Sequence, residues 1–306
     1  MPNSAPVRLS TWPIAVAMSW VLALGAQPAS GGDSRTSVDL SPDGRSLVFD
    51  SRGSIFTVPP AGGHATRMTS GGSVDTRPVW SPDGNRIAFV RSDGRRENVW
   101  VVDRQSHQAS AITADSTPRR IVSLSWGANG AALAIAFGSS APGFEIIDTQ
   151  SRQVSRFTVA EMGKSGNHAV HALTFARDSR SLIIQGGDAR TNTQQLYRFS
   201  FALRDQRAIT DEAHGALAPA FDGDGDRLAF LTRADSGGMA IEVRDIAAAR
   251  QRVAAVIPLP DSLVELPHFA LARDGRTAFI ASGGNLWRVI LSTGRRQLIQ
   301  VDANKP

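Results

Sequence analysis

The sequence predicts an all-β fold, a six-bladed β-propeller of four-stranded antiparallel blades, on three observations. The first is a repeated phrase: residues 38–49 read VDLSPDGRSLVF and residues 78–89 read PVWSPDGNRIAF. Altered copies follow as GANG at 127–130, ARDS at 176–179, GDG at 223–225 and ARDG at 272–275, six in all. The second is alternation. Counting from Gly44, Gly84, Gly130, Ser179, Gly225 and Gly275, the third residue on is Leu47, Ile87, Leu133, Leu182, Leu228 and Ala278, and the fifth is Phe49, Phe89, Ile135, Ile184, Phe230 and Ile280. Apolar positions two apart describe a strand with a buried face. The third is the period: the phrase recurs every 40 to 50 residues, the length of a propeller blade.

The elements fall in order. Residues 1–30 place Arg8 ahead of an apolar run from Trp12 to Leu24 and then the small residues Gly25, Ala26, Ala29 and Ser30. This is a secretory leader with cleavage near 26–30, since the run is shorter than the roughly 20 residues that cross a bilayer. A soluble periplasmic or secreted mature chain is expected, with no membrane span once the leader is removed. Blades are expected at about 36–70, 74–115, 119–159, 168–211, 215–257 and 264–300, with 301–306 as a tail. In each, a short strand such as RPVW, VSLSW, HALTF or APAF precedes the turn, the strand ending at the aligned Phe or Ile follows it, SIFTV, NVWVVD, FEIID, LYRFS, IEVRD or LWRVI makes a third, and segments such as SAIT or SRFT a fourth. Asp43–Gly44, Asp83–Gly84, Gly130, Gly225 and Asp274–Gly275 are read as the turn itself, Asp supplying a local acceptor and Gly the positive φ. A catalytic carboxylate would not recur once per blade.

Composition narrows the chemistry. No Cys is present, which removes disulfides, thiolate nucleophiles and cysteine-based zinc sites. The net charge of +5 comes almost wholly from arginine, Lys164 and Lys305 being the two lysines. The arginines are scattered, which describes a solvated basic surface and not a nucleic-acid stripe.

Residues 37–103, with both S-P-D-G blades, resemble the TolB-type propeller repeat, most closely the propeller that precedes the metal-dependent barrel of a group of secreted amidohydrolases. The later blades follow the pattern more loosely, with Ser179 in place of Gly and GANG in place of SPDG. The resemblance implies a periplasmic docking ring without catalytic activity, whose channel mouth takes proteins and extended peptides. In the fused enzymes the chemistry belongs to the barrel. Here six residues follow Gln300, and no His-x-His pair occurs among His64, His107, His168, His171, His214 and His268.

Other motifs give no strong signal. There is no G-x-S-x-G elbow. EMGKSG at 161–166 has Thr158 where a phosphate loop needs its first Gly. Asp222, Asp224 and Asp226 alternate like the start of a calcium loop, but they align with a blade turn and lack the downstream Glu. Trp80 and Trp126 read as packing between blades, and Trp100, Tyr197 and Trp287 as matching third-strand positions.

The channel remains. Four and five residues before each aligned turn stand Ser37, Arg77, Ser123, Ala172, Ala218 and His268, beside Thr36, Thr76, Val122, His171, Leu217 and Pro267. Arg77, His171 and His268, with Asp39 and Asp75 near, are the candidate partner-binding residues at the channel mouth; no catalytic residue, metal site or cofactor is expected. The leading functional expectation is a monomeric, exported, non-catalytic propeller that binds a periplasmic or extracellular protein or peptide. The alternatives are an accessory ring of a separately encoded amidohydrolase and a propeller enzyme of lactonase or cyclotransferase type.

Overall fold

Strand alternation of period two, broken by a tight turn in every unit, leaves the chain one way to bury both faces of each sheet: against the sheets before and after it. The computed structural model describes residues 37–138, 143–158, 167–188, 193–212, 214–222, 225–233, 239–246, 253–259, 268–282 and 284–302. Residues 1–36, with the expected leader and Thr36, lie outside them, as do Asp224 and Pro267. The described residues belong to one compact unit, Asp33–Pro306.

Six four-stranded antiparallel sheets follow one another along the chain. The first holds β1 (Val38–Leu40), β2 (Leu47–Ser51), β3 (Ser54–Val58) and β5 (Thr66–Arg67), with β4 (Gly63–His64) standing outside it. The second holds β6 (Val74–Trp80), β7 (Arg86–Ser92), β8 (Glu97–Asp103) and β9 (Ala109–Ala111). The third is β10 (Ile121–Trp126), β11 (Ala132–Phe137), β12 (Gly143–Asp148) and β13 (Val154–Thr158). The fourth is β14 (Asn167–Phe175), β15 (Ser181–Asp188), β16 (Thr193–Ser200) and β17 (Asp205–Ala208). The fifth is β18 (Leu217–Phe221), β19 (Arg227–Arg233), β20 (Met239–Asp245) and β21 (Val253–Leu259). The sixth is β22 (His268–Leu271), β23 (Thr277–Ser282), β24 (Asn285–Ile290) and β25 (Arg295–Leu298), followed by β26 (Val301–Asp302).

The six turns have a common geometry. In the second blade Gly84 N–H donates to the Ser81 carbonyl at 2.9 Å with φ near +68°, and Asn85 N–H donates to Asp83 Oδ1 at 3.0 Å. The Ser81 hydroxyl donates to Asp83 and accepts Arg86 N–H at 2.9 Å. The first blade repeats this with Ser41, Asp43, Gly44 and Ser46. Gly130, Ser179, Gly225 and Gly275 close the other four by the same backbone bond, all at positive φ. In the fifth blade Asp222 stands where the serine was, its Oδ1 accepting the N–H groups of Asp226 and Arg227.

The core is the set of seams between sheets. One apolar cluster joins Val48, Ile55 and Met68 of the first blade to Trp80, Ile87, Phe89 and Val102 of the second. Equivalent clusters span every successive pair of blades. The last closes the circle, packing Phe279, Ala281, Leu286 and Ile299 against Val38, Leu47, Phe49 and Val58.

Ring closure differs from expectation. Residues 31–36 lie outside the described residues. Val301 and Asp302, expected as tail, form β26 and pair in parallel with Gly63 and His64 of β4. Gly63 N–H donates to the Gln300 carbonyl at 2.8 Å and Ala65 N–H to that of Asp302 at 3.0 Å. The seam is thus joined by side-chain packing and by one short ladder.

Candidate functional site: the central channel

The first strand of each sheet lines the axis, and each has one edge without a ladder partner. Such an edge presents donors and acceptors that must be answered by something other than a strand. Side chains from neighbouring strands answer many of them. Ser123 Oγ accepts Leu173 N–H at 3.2 Å and donates back to its carbonyl, and Ser125 Oγ accepts Phe175 N–H at 2.9 Å, both one blade on. Asp39 Oδ2 accepts Trp80 N–H at 2.7 Å in the same relation. At the end away from the turns, Asp50 accepts Ser37 N–H, Glu97 accepts Ile121 N–H and Gln185 accepts Ala218 N–H.

Between these edges lies a cavity of about 310 Å³ walled by all six blades. Its walls are mostly apolar, with the hydroxyls of Ser37, Ser123, Ser125 and Thr174 and the charged groups of Asp39, Arg77 and Arg273. Arg273 was not legible as a channel residue: it follows the aligned position, where the first two blades carry Pro42 and Pro82. Trp80 and Trp126 serve twice, filling seams and forming part of the wall.

Arg77 owes its place to its neighbour. Pro78 has no N–H for the ladder, and the register slips between Thr76 and Val79, so that Arg77 and Pro78 together face Phe89. Arg77 is held at φ near +54°, a left-handed conformation rare for a side-chain-bearing residue. Ala218 before Pro219 repeats this at φ near +48°, across a slip between Leu217 and Ala220. Burial draws the Arg77 guanidinium below its ordinary pKa; nearby Glu97 and Asp50 oppose that, and Arg120 adds to it.

The remaining candidates separate. Asp75 is not in the cavity wall: it is 2% exposed and holds Arg91 through paired bonds of 2.7 and 2.8 Å. Arg91 in turn lies over the rings of Phe89 and Trp100, so Asp75 anchors the end of a seam. His171 is absent from the wall as well. Residues 168–171 bulge opposite Gly186, between the pairs Asn167–Gly187 and Ala172–Gln185, and His171 is exposed. His268 pairs with Ala281 at the start of β22, and its side chain lies outside the described residues. Asp222 is engaged by backbone N–H groups, and among the described residues no three His, Asp or Glu side chains gather as metal ligands.

Asp39 carries the clearest titration. Burial pushes its carboxyl up to about 6, against the bonds from Trp80 and Leu40 N–H that favour the ionised form. A folded-state value above the unfolded one means that the native chain binds this proton more tightly. Its stabilising contribution is therefore complete below about pH 4 and is lost as pH rises through 6. Asp39→Asn should remove that slope. The difference in unfolding free energy between wild type and variant, followed by urea titration from pH 4 to 7.5, should change by roughly 1 to 3 kcal/mol and be flat above pH 7. A difference independent of pH would mean that the carboxyl titrates normally.

These features define a class: a closed six-bladed propeller whose channel is walled by strand edges and a small set of polar groups. The chain is a TolB-like six-bladed β-propeller. Over 209 residues it is 22% identical to the Tol-Pal system protein TolB of Francisella tularensis subsp. mediasiatica, spanning 66% of this chain and 46% of that protein. The solved structure of TolB from Acinetobacter baumannii superposes with a TM-score of 0.65 at 18% identity, over 87% of this chain and 63% of that one. A 62-residue stretch is 32% identical to the lasso peptide isopeptidase of Asticcacaulis excentricus, 20% of this chain and 9% of the enzyme. The chain thus spans less than half the length of these curated relatives. No protein-family profile matches it.

Proposed function

We propose that the chain is an exported, non-catalytic propeller that receives a periplasmic or extracellular protein or peptide at its channel. The supporting observation is the way the channel's polar groups are used. Asp39, Ser123 and Ser125 are committed to the backbone of the next blade, an arrangement that shapes a wall and leaves recognition to Arg77 and to strand-edge groups. Likeness to TolB and the leader-like first thirty residues support export and a protein partner.

The test is selection of displayed random peptides on the full chain, repeated with Ala172→Trp, which places a large ring in the cavity wall. Selected peptides should bind wild type and lose at least tenfold in affinity on the variant, with none cleaved. Equal binding to both would remove the channel from the function. Turnover of a peptide or lactone panel would overturn the non-enzyme reading.

The isopeptidase likeness favours a second reading, an accessory ring that works with a peptide-cleaving amidohydrolase. On that reading the retained partner is such an enzyme, and its kcat/KM changes when the propeller is added.

A further inference from the structure

The repeat supplies its own controls for the channel wall, and they single out the seam between the first and second blades. Among the described residues, four buried side-chain polar atoms have no hydrogen-bond partner: Ser37 Oγ, Arg77 Nε, Trp80 Nε1 and Gln194 Oε1. The first three lie on β6 or just ahead of β1, all in residues that line the cavity. Counterparts of the serine and the tryptophan in the third blade are satisfied. Ser123, aligned with Ser37, exchanges bonds with Leu173 N–H and C=O. Trp126, aligned with Trp80, donates its indole N–H to the Val79 carbonyl at 3.2 Å.

The difference has a covalent cause at Ser37. The residue that would answer it, aligned with Leu173, is Pro78, which has no N–H to give. The same proline sets the bulge that holds Arg77 in its left-handed conformation. One residue therefore leaves a hydroxyl unpaired and turns a guanidinium into the same stretch of wall. Among the described residues Arg77 has one hydrogen-bond partner, Thr76 Oγ1, at 3.5 Å, the outer limit of a bond; the carboxylates of Glu97 and Asp50 act on it only electrostatically, and Arg120 opposes them.

We infer that Ser37 and Arg77 form a subsite for a carboxylate carried by the bound peptide. A buried N–H or O–H left unpaired costs about 1 to 3 kcal/mol, and an acceptor bridging these two groups would relieve both. A carboxylate matches a guanidinium through parallel bonds, and Arg273 adds a second cation to the wall. The cavity, about 310 Å³, has room for one or two residues of an extended chain. The carboxylate is either the peptide's C-terminus or an Asp or Glu side chain. The inference rests on the channel-binding reading above.

Four probes separate the cases: acetate, an N-acetylated trialanine acid, its C-terminal amide, and an N-acetylated Ala-Glu-Ala amide, each titrated into the full chain by calorimetry and by the fluorescence of Trp80 and Trp126. Saturable binding of the acid, with the plain amide at least tenfold weaker, is expected if the site takes a C-terminus; the same preference for the Glu peptide identifies a side chain. Arg77→Gln and Ser37→Ala should each lower that affinity at least tenfold. Ser37→Ala should do so with an unchanged unfolding midpoint, since the hydroxyl it removes is unpaired in the free protein. Equal binding of acid and amide, or binding insensitive to both substitutions, overturns the carboxylate subsite and leaves the platform standing. Absence of carboxylate binding with a normal yield of selected peptides overturns it likewise. Loss of peptide selection itself is the separate failure of the platform.

Discussion

Phe89→Ala should destabilise the protein by roughly 3 to 5 kcal/mol, the usual range for removing a fully enclosed aromatic ring. Phe89 is wholly buried, packed with Val48 and Ile55 of the preceding blade and with Ile87 and Val102 of its own. The cavity left behind cannot collapse readily, because Ile87, Ala88 and Val90 are fixed by the ladders to β6 and β8 on either side. Urea unfolding followed by Trp fluorescence reads the effect, with Phe89→Leu expected to lose less. A single transition displaced to lower urea is expected, because every blade depends on two neighbours. A near-neutral result would contradict the packing of that seam.

The second large effect lies at the closing seam. Gly62 sits at φ near +90°, and a Cβ there would come within 2.5 Å of the Gln300 carbonyl oxygen. Gly62→Ala should therefore lose the β4–β26 ladder as well as incur backbone strain, together about 2 to 4 kcal/mol. Gly63→Ala is the matched control: φ is near +112° and no atom lies within 4 Å of its would-be Cβ, so it carries strain without contact. Thermal unfolding of the two variants separates the terms, and Gly62→Ala should be the less stable and the more readily trimmed by carboxypeptidase. Equal stabilities would show that the ladder adds nothing to closure.

How far the sequence could be read is visible in the same residues. The turns, the apolar positions three and five beyond them and the Trp100-type sites depend on hydrogen bonds and alternation local to a hairpin, so counting from Gly44 or Gly84 lands on the buried Phe49 and Phe89. Counting backwards into the channel holds for four residues, reaching Ser37, Arg77, Ser123, Ala172 and Ala218, and fails at the fifth, because the innermost strands slip register in four blades. Asp39, two residues before its turn, is in the wall as expected. Asp75, beyond a slip, and His171, inside one, are not. Arg77 was placed by counting, but its conformation comes from Pro78, whose effect on a ladder is plain only when the opposite strand is known. The partner of Asp75 was hidden for a similar reason: Arg91 is sixteen residues away and reaches it across the hairpin.

Every four-stranded sheet is drawn from one uninterrupted run of chain, and the one strand lent between the ends of the described chain, β26, pairs with β4 outside the first blade's sheet. The order in which the blades are translated is therefore not written into any blade. A circular permutant that begins at Val74 and joins Asp302 to Ser37 through a flexible linker would keep all six sheets whole, moving the break from one seam to the next. The same property makes the blade the natural unit of gain or loss in descent, because cuts between blades divide no sheet and each copied unit arrives with its turn, its seam face and its share of the channel wall.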